Sequence, residues 1–302
     1  MNHSNKQKLA LNNSVSPIIE NNDQQEWDVI LSSKKVWFDL HLEQVWRYRD
    51  LLMLFVKRDI VSFYKQTIFG PLWYFIQPVF TTIVFTFVFG NLANLSTDGL
   101  PQPLFYMAGI MAWNYFADCL TKTSTIFKDN AAIFSKVYFP RIISPLSIVI
   151  SNLLRFGIQM LLFIAMLLYY VISGVHFSIG FELLLLPFFV LFMAMQGLGL
   201  GMIITSMTTK YKDLSIVLPF GVQLMMYATT VIYPLSSLAG DTYWVVALNP
   251  MTFVIEGIKQ CTLGAGIITL KSFSYSFGVS TILLGLGILI FNKVEKTFID
   301  TI

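Results

Sequence analysis

The chain has 302 residues, 55% hydrophobic and only 12% charged, with a formal net charge of +3. A soluble domain carries about 25% charged residues, so this composition, with a mean hydropathy of +0.66, excludes an ordinary soluble protein and points to an integral membrane protein. The small net charge does not suggest nucleic-acid binding. The two cysteines, Cys119 and Cys261, form no C-x-x-C pair and read as inert apolar fillers rather than a metal or redox site.

The first 35 residues are polar and rich in Asn, Gln and Ser. They lack the apolar core of a cleaved secretion signal, and residues 1–30 read as a disordered cytoplasmic leader. Residues 36–69 hold no Gly or Pro. Leu42, Val45, Trp46, Leu52, Phe55, Val56, Ile60 and Phe63 make an approximate helical stripe. Arg47, Arg49, Asp50, Lys57, Arg58 and Asp59 supply the polar positions. The block is too charged to cross a bilayer and predicts a helix in the interface plane. Gly70-Pro71 then makes a corner. Gly permits one helix to end, and Pro is favoured at the first position of the next. Trp73 and Tyr74 follow at headgroup depth, as an aromatic belt or a channel lining. Pro78 lies within the span and predicts a kink.

Crossing about 30 Å of hydrocarbon takes about 20 mostly apolar residues. Six segments qualify, near 72–91, 104–126, 146–172, 182–207, 214–235 and 272–291. Seventeen Lys and Arg lie before the first span or around the loops that follow spans 2, 4 and 6. The opposite loops hold Lys259 and Lys271. By the positive-inside rule both termini are cytoplasmic. Arg155 falls near the cytoplasmic end of span 3, where it can snorkel or line a polar pathway. Asp118 has Lys122 at i+4 as its local partner.

The loop after span 2 reads KDNAAIFSKVYFPR, residues 128–141. Asn130 can cap a short helix from 131 to about 138, which Pro140 ends. Ile133, Phe134, Val137, Tyr138 and Phe139 with Lys136 make an amphipathic plug with a cationic rim. It suits docking into a groove on another protein, or packing on the chain's own interfacial helix. Between spans 5 and 6, Asn249-Pro250 reads as a helix start. The apolar pieces there are too short to cross and would dip back into the membrane. Glu256 and Lys259 would keep such a helix wet on one side. GAGIITLKS, residues 264–272, lacks the G-K-[ST] of a phosphate loop. His3, His41 and His176 are isolated, and no catalytic or metal constellation is visible.

The stretches VWRYRDLLMLFVKRD, YKQTIFGPLWYFIQP, FGNLANLSTDGLP, YMAGIMAWNYFADCLTKTS, IFSKVYFPR and NPMTFVIEG, in this order, resemble the permease subunit of ABC type-2 exporters, in the branch that moves O-antigen and related polysaccharides. The resemblance runs from about residue 36 to the C-terminus. It implies an all-α fold of six spans with an N-terminal interface helix and short re-entrant gate helices between spans 5 and 6. It also implies a homodimer in the bacterial inner membrane, joined to two copies of a separate ABC ATPase that carries the ATP and Mg. The substrate would be a polysaccharide on a polyprenyl diphosphate. On this pattern Asn130, Ile133, Phe134, Lys136, Tyr138 and Phe139 belong to the ATPase-coupling segment. Asn249, Pro250 and Glu256 belong to the gate helices. Tyr74, Trp113, Tyr115 and Phe116 are candidates for an aromatic channel lining, and Arg47, Arg49, Lys57, Arg58 and Lys65 for a rim that attracts the diphosphate. The rivals are a type-2 permease for capsule, teichoic acid or a drug-like lipophile, an ion-driven transporter, and a membrane enzyme acting on polyprenyl-linked sugars. The last two would need internal repeats, mid-membrane ionisable residues or clustered carboxylates, which the sequence does not display.

Overall fold

A computed structural model describes residues 42–65, 67–211 and 213–299. The expected leader, the start of the expected interface helix at 36–41, and the side chains of Leu42 and Phe63 lie outside what is described. Among the described residues the structure is helical, with no strand.

The interfacial block is two helices, α1 (Leu42–Arg47) and α2 (Arg49–Tyr64), with a break at Tyr48. The single helix expected to residue 69 therefore stops earlier. Phe55 and Val56 turn inward, whereas Trp46, placed on the same stripe by sequence, is 71% exposed. Gly70 adopts φ +51°, a left-handed conformation that side chains rarely take. Pro71 opens a 3₁₀ turn, Gly70–Leu72, that leads into α3 (Trp73–Phe85). The helix passes through Pro78 and finishes as a π-helical turn, Thr86–Leu92.

After a polar loop come α4 (Gln102–Ser124), two short turns α5 (Ile126–Asp129) and α6 (Ala131–Phe134), and α7 (Ile143–Ile172). A 3₁₀ turn, Phe181–Leu185, leads into α8 (Leu186–Thr208), followed by α9 (Leu214–Tyr227). Then come α10 (Asp241–Ala247), α11 (Pro250–Leu263) and α12 (Leu270–Ile299). Four helical stretches among the described residues are long and apolar enough to cross a membrane: Gly70–Leu92, Ile143–Ile172, Phe181–Thr208 and Leu270–Glu295. α4 has the length but carries Asp118 and Lys122. α9 is shorter than the 214–235 expected: its 14 residues reach about 21 Å at 1.5 Å per residue.

Helix α8 lies between α4 and α12, and glycines set how closely. A Cβ at Gly197 would sit 2.8 Å from the Cβ of Cys119, and one at Gly201 2.6 Å from that of Thr123, both on α4. A Cβ at Gly199 would sit 2.6 Å from the Leu283 backbone of α12, and one at Gly287 2.6 Å from the Gly199 carbonyl. Small residues let helix backbones approach where lipid offers no hydrophobic drive. Gln196 adds a polar tie, its Nε2 donating to Ser280 Oγ at 2.9 Å.

Candidate functional site

At the α2 end of the fold a second apolar cluster gathers Phe55, Phe127, Phe134, Phe139, Ile143 and Phe291. Phe127 stacks on Phe291 at 4.9 Å between centroids, and Phe139 meets Phe55 edge-on at 5.6 Å. The expected coupling segment is therefore divided. Phe134 and Phe139 are buried against the chain's own helices and Ile133 packs beside them. Lys136, Val137 and Tyr138 point out, with Tyr138 77% exposed.

The helix expected over 131–138 stops at Phe134, and Asn130 does not cap it with its side chain. Its amide donates back to the Ile126 carbonyl at 3.1 Å, and its Oδ1 accepts from Arg58 Nη1 at 3.0 Å. The guanidinium partner from α2 is what draws the side chain away from the cap. Arg58 also pairs with Asp59 at 2.8 Å and lies over the Phe55 ring at 4.7 Å. That ties Arg58 into the chain although its side chain stays exposed; Arg49 is tied as well, lying over Trp46 at 5.4 Å and 3.9 Å from Asp50, and Arg47, Lys57 and Lys65 are the other exposed cations of the expected rim. A second guanidinium holds the other side. Arg141 lies over Phe134 at 5.2 Å, with its Nε 3.9 Å from Glu295 Oε1 on α12. Burial draws the Arg141 pKa down, and the Glu295 carboxylate opposes this.

Asp118 does not pair with Lys122. Lys122 Nζ donates to Asn152 Oδ1 at 2.8 Å, and Asp118 accepts from Arg155 Nη1 of α7 at 2.5 Å. Arg155 also donates to Gln77 Oε1 at 2.9 Å and lies over the Tyr74 ring at 5.7 Å. One cation thus joins α3, α4 and α7. Arg155 gives one nitrogen to Asp118 and the other to Gln77, so its two arms bridge α4 and α3, whereas Lys122 reaches a neutral amide across the α4–α7 interface.

The expected lining rings lie inside the chain. Tyr74, Trp113, Tyr115 and Phe116 are all buried. Trp113 packs on Phe116 and Tyr115 on Phe156, at 5.2 and 5.5 Å between centroids. Between Gly70 and Leu92 the exposed rings are Trp73 and Phe80 on α3 and Phe87 on the π-helical turn that follows it. Trp73 and Phe80 flank a groove of about 570 Å³ on the surface of α3 with Ile76, Gln77 and Thr81.

At the opposite end, Asn249 caps α11 as its sequence suggests, accepting from Met251 N at 3.1 Å, with Pro250 at the first position. Glu256 and Lys259 are not wet. Each side chain is 1% exposed, and the two lie 3.6 Å apart. The Lys259 ammonium sits 3.6 Å from the Phe105 centroid and donates to the Thr230 carbonyl. Burial of the ammonium is eased by the nearby carboxylate, the Thr230 carbonyl and the Phe105 ring face, while Glu256 Oε1 itself accepts no hydrogen bond.

Sequence reasoning passed over Gly197, Gly199 and Gly201, whose signal is the run GLGLG inside an apolar helix. It also passed over the Arg58–Asn130 and Arg141–Glu295 ties, which link segments too distant in the chain for any local rule.

Comparison with known proteins gives the last observation. A family described as "ABC-2 type transporter" matches residues 50–263. The chain is 26% identical over 251 residues to an O-antigen export system permease protein RfbA of Klebsiella pneumoniae, covering 83% of this chain and 94% of that protein. A protein of the same name from Myxococcus xanthus is 24% identical, covering 86% and 98%. The polysialic acid transport protein KpsM of Escherichia coli is 22% identical, covering 81% and 93%.

Proposed function

The chain belongs to the ABC-2 type transporter family, and from that premise we propose that it is the permease subunit of an ATP-driven exporter. Its cargo is a polyprenyl-diphosphate-linked cell-surface polysaccharide of the O-antigen type, carried across the bacterial inner membrane. The observation that carries this reading is its similarity, along more than four-fifths of its length, to permeases named for O-antigen export. Six spans serve the transport path: the Gly70–Leu92 stretch, α4, α7, α8, α9 with the chain that extends it, and α12. Both termini are cytoplasmic, so α2, α5 and α6 face the cytoplasm and α10 and α11 are the gate helices on the outer side.

The chain acts as a homodimer with two copies of an ABC ATPase, which binds ATP and Mg. This chain performs no hydrolysis itself. Lys136, Val137 and Tyr138 contact that ATPase, while Asn130, Phe134 and Phe139 hold the contact in place from behind. The passage lies between the two copies, and the exposed rings Trp73 and Phe80 of α3 take the lining role that Trp113, Tyr115 and Phe116 would fill only if the core rearranged. Flat rings suit this cargo because sugars offer apolar C–H faces without fixed charge. Arg47, Arg49, Lys57 and Lys65 draw the diphosphate to the inner surface. A capsular polysaccharide is the second reading, favoured by the similarity to the polysialic acid transport protein.

The test is co-purification from gently solubilised membranes, followed by an ATPase assay and an assay of surface polysaccharide in a strain lacking the chain. We expect an ATPase subunit to accompany the chain and the polymer to accumulate inside deleted cells. A chain that purifies alone, with surface glycan unchanged on deletion, would overturn the reading.

A further inference from the structure

A groove of about 360 Å³ runs between the outer half of α3, the start of α4 and the end of α7. This falls within the range of small-molecule sites, about 300–1,000 Å³. Its walls are apolar, with Val79, Ile83, Met107, Leu162 and Met166 prominent. Lys, Arg, Asp and Glu are absent from its lining.

Its polar groups are placed unequally. Thr82 is satisfied, its hydroxyl donating to the Met107 sulfur at 3.3 Å. Thr86 is not: its Oγ1 is buried with no hydrogen-bond partner, although it lines the groove. Such orphaned groups are rare in folded proteins and call for an explanation. Thr86 is also the first residue of the π-helical turn Thr86–Leu92, a deformation found often at functional sites. Asn91 closes the groove at the end of that turn, where the chain leaves the helix for the polar loop 93–101.

Depth decides what fits. Asn91 stands where the spanning stretch ends, so it lies at headgroup level. Thr86, five residues earlier, lies about 6 Å deeper, since a π-helical turn rises less per residue than the 1.5 Å of an α-helix. The headgroup zone is about 5–7 Å thick on each side of the hydrocarbon, so Thr86 sits at the boundary between the two. A diacyl glycerophospholipid carries its ester carbonyls there, and each is an acceptor for a hydroxyl. A polyprenyl diphosphate keeps its oxygens in the headgroup zone and has no acceptor on the chain below.

We propose that this groove is a binding site for one glycerophospholipid, with an acyl chain along Ile83, Met107 and Leu162 and an ester carbonyl accepting from Thr86, whose hydroxyl turns from its buried rotamer to face the groove. The proposal takes from the exporter reading only that the lipid belongs to the outer leaflet. The transport cargo is then separate from the groove, and a structural lipid wedges α3 against α4 and α7.

The test uses the full transporter reconstituted in bilayers with a phosphatidylethanolamine bearing a diazirine on one acyl chain. After illumination, labelled peptides are mapped by mass spectrometry. We expect label at Met107, Leu162 or Met166 several-fold above label at Phe220, which is exposed on α9. Thr86→Val, which keeps the shape and removes the donor, should reduce groove label several-fold, and Met166→Trp should abolish it. Undecaprenyl phosphate in excess should not compete. Label no higher than at Phe220, label insensitive to Thr86→Val, or displacement by undecaprenyl phosphate would each overturn the proposal. None of these readouts measures export, so a failure here and a failure of the export reading are separate results.

Discussion

The Arg155 guanidinium of α7 lies 2.5 Å from the Asp118 carboxylate of α4, and both are only partly open to water, at 11% and 26% exposure. Gln77 of α3 accepts from the same guanidinium. Breaking a fully buried pair costs about 3–5 kcal/mol because one charge is left alone. For this partly exposed pair we expect about 2 kcal/mol from Arg155→Met or Asp118→Asn. Thermal unfolding in detergent checks this, and the charge-swapped double variant should recover at least half of the loss. If either single variant matches wild type, the pair is a surface contact of no consequence.

The coupling segment predicts two phenotypes within five residues. Phe134→Ala empties a buried ring site, and we expect it to cost about 3 kcal/mol, read as a lower unfolding temperature and less protein in the membrane. Tyr138→Ala with Lys136→Glu alters the exposed face. It should leave the unfolding temperature unchanged while lowering both ATPase recruitment and surface polysaccharide at least several-fold. Normal recruitment and export in that variant would remove the ATPase contact from this segment.

Glycines on α8 and α12 should differ sharply. Gly199→Ala places a methyl 2.6 Å from backbone atoms of Leu283, and overpacking of this kind costs about 1–3 kcal/mol. Gly278→Ala meets nothing within 4 Å and should be neutral or stabilising by up to about 1 kcal/mol from helix propensity. Parallel expression and thermal melts of the two variants give the answer. Equal behaviour would show that α8 and α12 are not in close contact in the membrane.

The buried pair on α11 predicts non-additivity. Lys259→Met leaves the Glu256 carboxylate alone in an apolar site, and Glu256→Leu leaves the ammonium. Each should cost about 3–5 kcal/mol. The double variant Lys259→Met/Glu256→Leu removes both charges and should be closer to wild type than either single variant. A double-mutant cycle on unfolding temperature measures this. Additive losses would mean that the two side chains do not interact.

Much of the helix order was legible because apolar length is a strong local signal. The Gly70-Pro71 corner and the Asn249-Pro250 start were legible for a related reason: backbone constraints at Gly, Pro and a cap are local too. Pairings between helices were not. Asp118 has Lys122 one turn away, and a local rule chooses it, whereas the structure gives Asp118 to Arg155, 37 positions on. Glu256 and Lys259 looked like a wet face because charge on a short helix usually faces water, and nothing local announces Phe105 or the Thr230 carbonyl. The aromatic residues from Phe134 to Phe139 looked like one patch, because composition does not say which rings face inward.

The glycine contacts that seat α8 between α4 and α12 bear on how the molecule can move. Backbones that touch without intervening side chains have little slack to slide or tilt, so these three helices make a keel that travels as one piece. The stretch from Gly70 turns on a residue of positive φ, and α9 gives way to non-helical chain after Tyr227. Those two joints, and not the glycine contacts, are where the backbone has room to bend without unpacking the fold.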